Sequence, residues 1–115
     1  MAELFKITGN LTREVASEAV QWLVDNAEEL ARRKAMMIYH EDRLRVVKST
    51  AMALSDEKSA AAKEAEAYRS AIYAAAIDER RSAVFHYERL MNSKTAAQAA
   101  KELYQTFEAS LRRAV

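Results

Sequence analysis

Two histidines and the acids beside them are the side chains best equipped for chemistry. His40 stands next to Glu41 in YHEDR, and His86 lies in VFHYER. A histidine beside a carboxylate suggests metal ligation or proton transfer. A helical zinc site of the HExxH type needs a second histidine four residues on, and that position is Leu44. The acid pairs Glu28-Glu29 and Asp78-Glu79 lack the Glu-x-x-His repeats that line a di-metal bundle. No GxSxG elbow presents a nucleophilic serine, and a single glycine cannot build a phosphate-cradling loop. Cysteine is absent, which excludes thiolate nucleophiles, disulfides and zinc clusters of the Cys type. The expectation is a protein that is not an enzyme, with no catalytic residue, cofactor or metal.

Charge is the second candidate for function. In KAMMIYHEDRLRVVK, Lys34, Glu41 and Lys48 recur every seven residues on an otherwise apolar helical face. With Arg45 and Arg69, the two lysines would form an anion site that Glu41 tunes. The packing alternative, which we favour, is that these charges meet opposite charges on a neighbouring helix. Basic clusters at Arg43 and Arg45 and at Arg112 and Arg113 are the candidates for nucleic-acid contact, with Tyr68, Tyr73, Tyr87 and Tyr104 available to stack on bases. The balance argues against strong electrostatic attraction: 18 basic residues oppose 17 acidic ones, for a net charge of +1. Such a chain projects no strong field toward DNA, RNA or an anionic membrane.

The elements that must position these groups are helices. One glycine and no proline in 115 residues leave few sites for tight turns. Ala, Glu, Lys, Arg, Leu and Met dominate, all strong helix formers. MAELFKITGN, holding the only glycine, reads as an extended N-terminal arm over 1–10 of a single domain spanning 1–115. Asn10 or Thr12 caps a first helix over about 12–54, and Ser55, followed by Asp56 and Glu57, caps a second over about 56–92. Thr95 with Gln98 matches a capping box, so a third segment over about 96–115 either begins there or continues the second helix. The fold class is all-α, a long antiparallel helical hairpin with coiled-coil-like packing.

Rows at seven-residue spacing predict which faces pack. Leu23, Leu30, Met37, Leu44 and Ala51 form one row of the first helix, and Val24, Ala31, Ile38 and Met52 another. Ala27, Lys34, Glu41 and Lys48 fall between them at 100° per residue. In the second helix the rows are Ala62, Ala76, Ala83 and Leu90 beside Ile77, Val84 and Met91, with Glu66, Tyr73, Arg80 and Tyr87 between. The alanine-rich runs 60–67 and 71–76 read as close helix-packing surface. Folding back at Ser55 places Met37 opposite Tyr73, Glu41 opposite Arg69 and Lys48 within a turn of Glu66. An interhelical charge network of Lys34, Glu41, Lys48, Glu66 and Arg69 follows, whose use is to fix register. Loss of the Glu41 carboxylate would then strand a partly buried charge, at about 1–3 kcal/mol.

Two long helices bury only one stripe each, so Trp22, Tyr39, Phe85, Tyr104 and Phe107 need further cover. A homo-oligomer, most simply a dimer, is expected, together with a protein partner. No signal-peptide core and no run of ~18 apolar residues is present, so no membrane is expected and the default compartment is cytoplasmic.

Over LVDNAEELARRKAMMIYHEDRLRVVKSTAMA (23–53), SAAAKEAEAYRSAIY (59–73) and YERLMNSKTAAQAAKELYQTFEASLRR (87–113), the chain resembles a diverse group of short all-helical proteins of tailed phages and prophages. Lys34, Glu41, Lys48, Glu66, Tyr68, Tyr73 and Arg112 sit where that group's pattern places them. The group often carries Trp-Arg near its end, where this chain has Phe107-Glu108. Genes of the group neighbour recombination or replication functions. The resemblance therefore implies a phage accessory factor in DNA replication or recombination, working by self-association and partner binding in the host bacterial cytoplasm. Direct DNA binding, or docking on a bacterial protein as a small structural or anti-host factor, are the alternatives.

Overall fold

A computed structural model describes residues 4–7 and 9–114. It is all-helical: α1 (Arg13–Ala53), α2 (Ala60–Arg69) and α3 (Ala71–Ala114). The described residues divide into two compact units, one drawn from Met1–Ala31 with Glu88–Val115 and the other from Arg32–Tyr87. In each, α1 packs against α3, as a helical hairpin requires. Among the described residues no helix is long and apolar enough to cross a membrane.

The first unit is built on alanine. Ala19, Ala97 and Ala100 are fully buried where α1 meets α3, and Phe5, Leu11, Trp22 and Leu23 pack around them. Small side chains let two helices approach closely, so the apolar cover comes from the flanks. Part of that cover is the N-terminal segment. The Phe5 N–H donates to the buried Ser93 hydroxyl at 3.2 Å, and the Phe5 ring lies 6.4 Å from the Trp22 ring. Of the arm expected over 1–10, residues 1–3 and 8 lie outside the described residues, and Leu4–Ile7 have no regular secondary structure. Gly9 takes a positive φ of 78°, which a side chain would strain, and so turns the chain toward α1. Thr12 is the cap: its hydroxyl accepts from the Val15 N–H at 3.3 Å.

In the second unit the break comes later than Ser55. The Ser55 hydroxyl is committed to the loop, accepting from the Glu57 N–H at 3.1 Å and donating to the Glu66 carboxylate. Ser59 caps α2 instead, accepting from the Ala62 N–H at 3.1 Å. A second break, unforeseen from the sequence, falls at Ser70, whose backbone is extended (φ −71°, ψ 149°). Its hydroxyl donates to the Ala67 carbonyl at 2.7 Å and accepts from the Tyr73 N–H at 3.2 Å, so one residue ends α2 and opens α3. By contrast 92–95 is continuous helix. Thr95 is no cap: its hydroxyl donates back to the Met91 carbonyl, four residues earlier.

The packing rows divide unequally. Leu23, Leu30, Met37, Leu44 and Ala51 are all half-buried, but Val24, Ala31 and Ile38 are exposed. The buried face of α1 is therefore centred on the first row and its far side, where Ala19 and Val47 lie. The charged row sits at the margin of the packed face rather than down its middle: Ala27 and Lys34 are exposed, and Glu41 and Lys48 are half-buried. This resolves why charges recur in an apolar stripe. Ala76 and Leu90 are buried and Ala62 and Ala83 half-buried, as their row predicts. Of the two alanine-rich runs, only Ala67 and Ala76 are buried; most of the other alanines face outward.

Candidate functional site

The polar groups of the second unit gather in two places. At the first, Lys48 on α1 reaches Glu64 on α2, with Nζ 3.1 Å from Oε1 and 4.8 Å from the Tyr68 ring centre. Tyr68 meets Tyr73 edge to face, their centroids 5.2 Å apart across the Ser70 break. Hydrogen bonding with Tyr68 and then with Glu64 raises the Lys48 ammonium above the ordinary lysine range, and Lys48 in turn lowers Glu64 below the ordinary glutamate range. This cluster tethers the short α2 to α1.

The second place is a cleft between α1 and α3 of about 270 Å³, lined by Arg33, Met36, His40, Glu79, Ser82 and His86, with Ala83 at its wall. The Glu79 carboxylate lies 3.8 Å from the His40 Nδ1 and 3.7 Å from the Arg43 guanidinium. That His40 nitrogen is buried and makes no hydrogen bond. One residue along each helix, Glu41 lies 3.8 Å from Arg80. Sequence spacing treated His40 and His86 as unrelated, yet the fold lines one cleft with both. No local signal could have paired them, because the pairing depends on the interhelical register.

The expected charge network is therefore redrawn. Glu41 pairs with Arg80 and not with Arg69, and Lys48 with Glu64 and not with Glu66, which takes the Ser55 hydroxyl. Arg69 is exposed in the last turn of α2, and Lys34 is exposed on α1; neither forms an ion pair among the described residues. Both earlier expectations assumed a tight turn at Ser55. The loop at 54–59 and the break at Ser70 together shift the partner of Glu41 by about three helical turns.

Of the candidate nucleic-acid residues, Arg43 and Arg45 belong to the second unit and Arg112 and Arg113 to the first. Arg43 is committed to Glu79 and Arg112 to Glu108 at 3.8 Å, while Arg45 and Arg113 are exposed. Arg112 and Arg113 lie in the last turn of α3, where cations favour the carboxyl end of the helix dipole.

Chemically the cleft offers two imidazoles, a carboxylate, a guanidinium and a hydroxyl. Among the described residues no three His, Asp or Glu side chains are grouped as a metal ion would need. Set against known proteins, the chain matches no protein-family profile, no curated protein and no solved structure.

Proposed function

We propose that this chain is a non-enzymatic helical interaction protein, acting by self-association and by binding another protein. The observation that carries this reading is where its apolar mass lies. Among the described residues the buried hydrophobic set is six alanines with Val47 and Leu90, and no large side chain is fully buried. Val20, Val24, Ile38, Tyr39, Val46, Ile72, Phe85 and Phe107 are among the large hydrophobics left exposed.

The resemblance to short phage and prophage proteins supplies the setting: an accessory role in DNA replication or recombination, in the bacterial cytoplasm, exerted through protein contacts. The near balance of 18 basic and 17 acidic residues favours contact with protein over direct contact with phosphates.

The test has two arms. Affinity capture from lysogenic cells is run with the wild type and with Val24→Glu, which places a charge on an exposed apolar site. Gel-shift titrations with single- and double-stranded DNA are run at low and high salt. The proposal expects a replication or recombination protein retained by the wild type and lost by Val24→Glu. Tight DNA binding that weakens steeply with salt, with no protein retained, would replace it by the direct DNA-binding reading.

A further inference from the structure

We propose that the seam between α1 and α3 in the first unit is a docking groove for an extended, aromatic-bearing segment of a partner protein, and that the chain's own N-terminal segment closes it as a strap. This rests on the interaction reading above and names the chemistry of one partner contact. The structure shows what covers the groove. Phe5 and Leu11 pack, with Trp22 and Leu23, against the fully buried Ala19, Ala97 and Ala100. Alanines leave a shallow floor on which a larger side chain from another segment can sit. The Phe5 ring takes that place beside Trp22, with 6.4 Å between centroids. A second contact is made by the backbone. Ser93 is the only buried polar residue among those described, and its hydroxyl accepts from the Phe5 N–H at 3.2 Å. Every residue but proline carries that donor. The contact therefore selects an extended main chain, and the aromatic side chain supplies the specificity.

The strap is lightly held. Among the described residues, the Phe5–Ser93 bond is the only hydrogen bond from 4–11 to the helices. Residues 4–7 have no regular secondary structure, and Lys6 and Ile7 are exposed. Gly9 turns the chain at φ 78° with nothing within 4 Å of an added Cβ, so open space surrounds the turn. Segments with few buried contacts and few hydrogen bonds open well before the helices they cover. The strap is thus an autoinhibitory contact, because a partner's segment has to displace a tethered competitor. A strap closed ten times as often as open weakens that segment about ten-fold. With a short tether the effective concentration is on the order of 1 mM. The same strap sequence, supplied on a separate molecule, then binds an open groove at about 100 μM.

The probe is a labelled peptide of residues 1–12, MAELFKITGNLT. It is titrated by fluorescence anisotropy into the full chain as wild type, Phe5→Asp and Phe5→Ala. Trp22, the only tryptophan, reports on the groove independently. Both variants should keep the helical spectrum and cooperative melting, with Trp22 emission moved to longer wavelength. Their midpoints should fall by only about 5 °C, since a ten-fold preference is about 1.4 kcal/mol. The peptide should bind Phe5→Asp at about 100 μM or tighter, returning Trp22 emission toward the wild-type value. It should bind the wild type about ten-fold more weakly, and a peptide carrying Phe5→Asp should bind no chain. Equal binding to wild type and variants, or binding to neither variant, overturns the inference. Loss of cooperative melting in both variants also overturns it, because the segment is then part of the core. A wild type that sediments as a dimer while Phe5→Asp stays monomeric gives the groove to a second copy's arm and overturns the choice of a foreign segment. A peptide that fails while affinity capture still retains a partner removes this groove and leaves the interaction reading standing. A peptide that binds as expected while capture with wild type and Phe5→Asp retains nothing removes the interaction reading, and the partner with it.

Discussion

Glu41 on α1 lies 3.8 Å from Arg80 on α3, three turns beyond the arginine that a tight hairpin at Ser55 would have offered it. Their side chains are 41% and 46% exposed, which decides how much the pair matters. Ion pairs in this much solvent contribute little, because water already screens both charges. Glu41→Ala should therefore cost about 0.5 kcal/mol, or about 2 °C in melting temperature, rather than the larger loss expected for a buried charge. Arg69→Ala should leave the melting temperature unchanged. A large loss in the Arg69 variant would restore the register expected from sequence and contradict the one described.

The Lys48–Glu64 contact, at 3.1 Å, carries a pH signature. Glu64 is lowered in the folded chain, so its contribution is present above its ordinary value of 4.5 and is lost as pH falls through the folded value. Lys48 is raised by Tyr68 and Glu64, so its contribution is present below its ordinary value of 10.5 and is lost as pH rises through the folded value. The stability difference between wild type and Lys48→Met should be flat through neutral pH and shrink at both extremes. Denaturant midpoints measured against pH read this directly. A difference undiminished at about pH 3, well into glutamate protonation, would mean that Lys48 acts through its stem alone.

Ser70 joins two helices with one hydroxyl, which donates to Ala67 and serves the Tyr73 N–H. Removing a capping hydroxyl costs about 1 kcal/mol, and Ser70→Ala should lose that much in denaturant unfolding. Hydrogen exchange should speed up at the Tyr73 amide while α1 keeps its protection. If Ser70→Ala is neutral or stabilising, the two helices run on without a break in solution.

These residues show which parts of the structure could be read in advance. The helical hairpin was legible because propensity and seven-residue rows agree over long stretches, and Leu23, Leu30, Met37 and Leu44 do pack. The side of that row completing the buried face was not legible. Val24, Ala31 and Ile38 are as apolar as their neighbours, and only contact with α3 leaves them outside. The Ser70 break carries no local signal stronger than many serines that stay helical. Partner assignments failed because every cross-helix pair inherits the length of the loop at 54–59. His40 and Glu79 came together for the same long-range reason.

His40 offers the sharpest separation of stability from function. Its Nδ1 is buried without a hydrogen bond and stands 3.8 Å from Glu79, too far to satisfy it. An unsatisfied buried polar atom costs about 1 kcal/mol or more, and an apolar replacement of similar size removes that cost. His40→Leu should therefore raise the unfolding midpoint by about 1 kcal/mol equivalent. Proteins keep such costs where the group serves binding, and the cleft that His40 shares with His86 and Ser82 is open to a partner's polar side chain. The same variant should consequently retain less of any captured protein, despite being more stable. Lower stability in His40→Leu would show that the imidazole is satisfied in solution and that its position is structural. Higher stability with undiminished capture would remove the cleft from the binding surface and leave the exposed apolar faces to carry it.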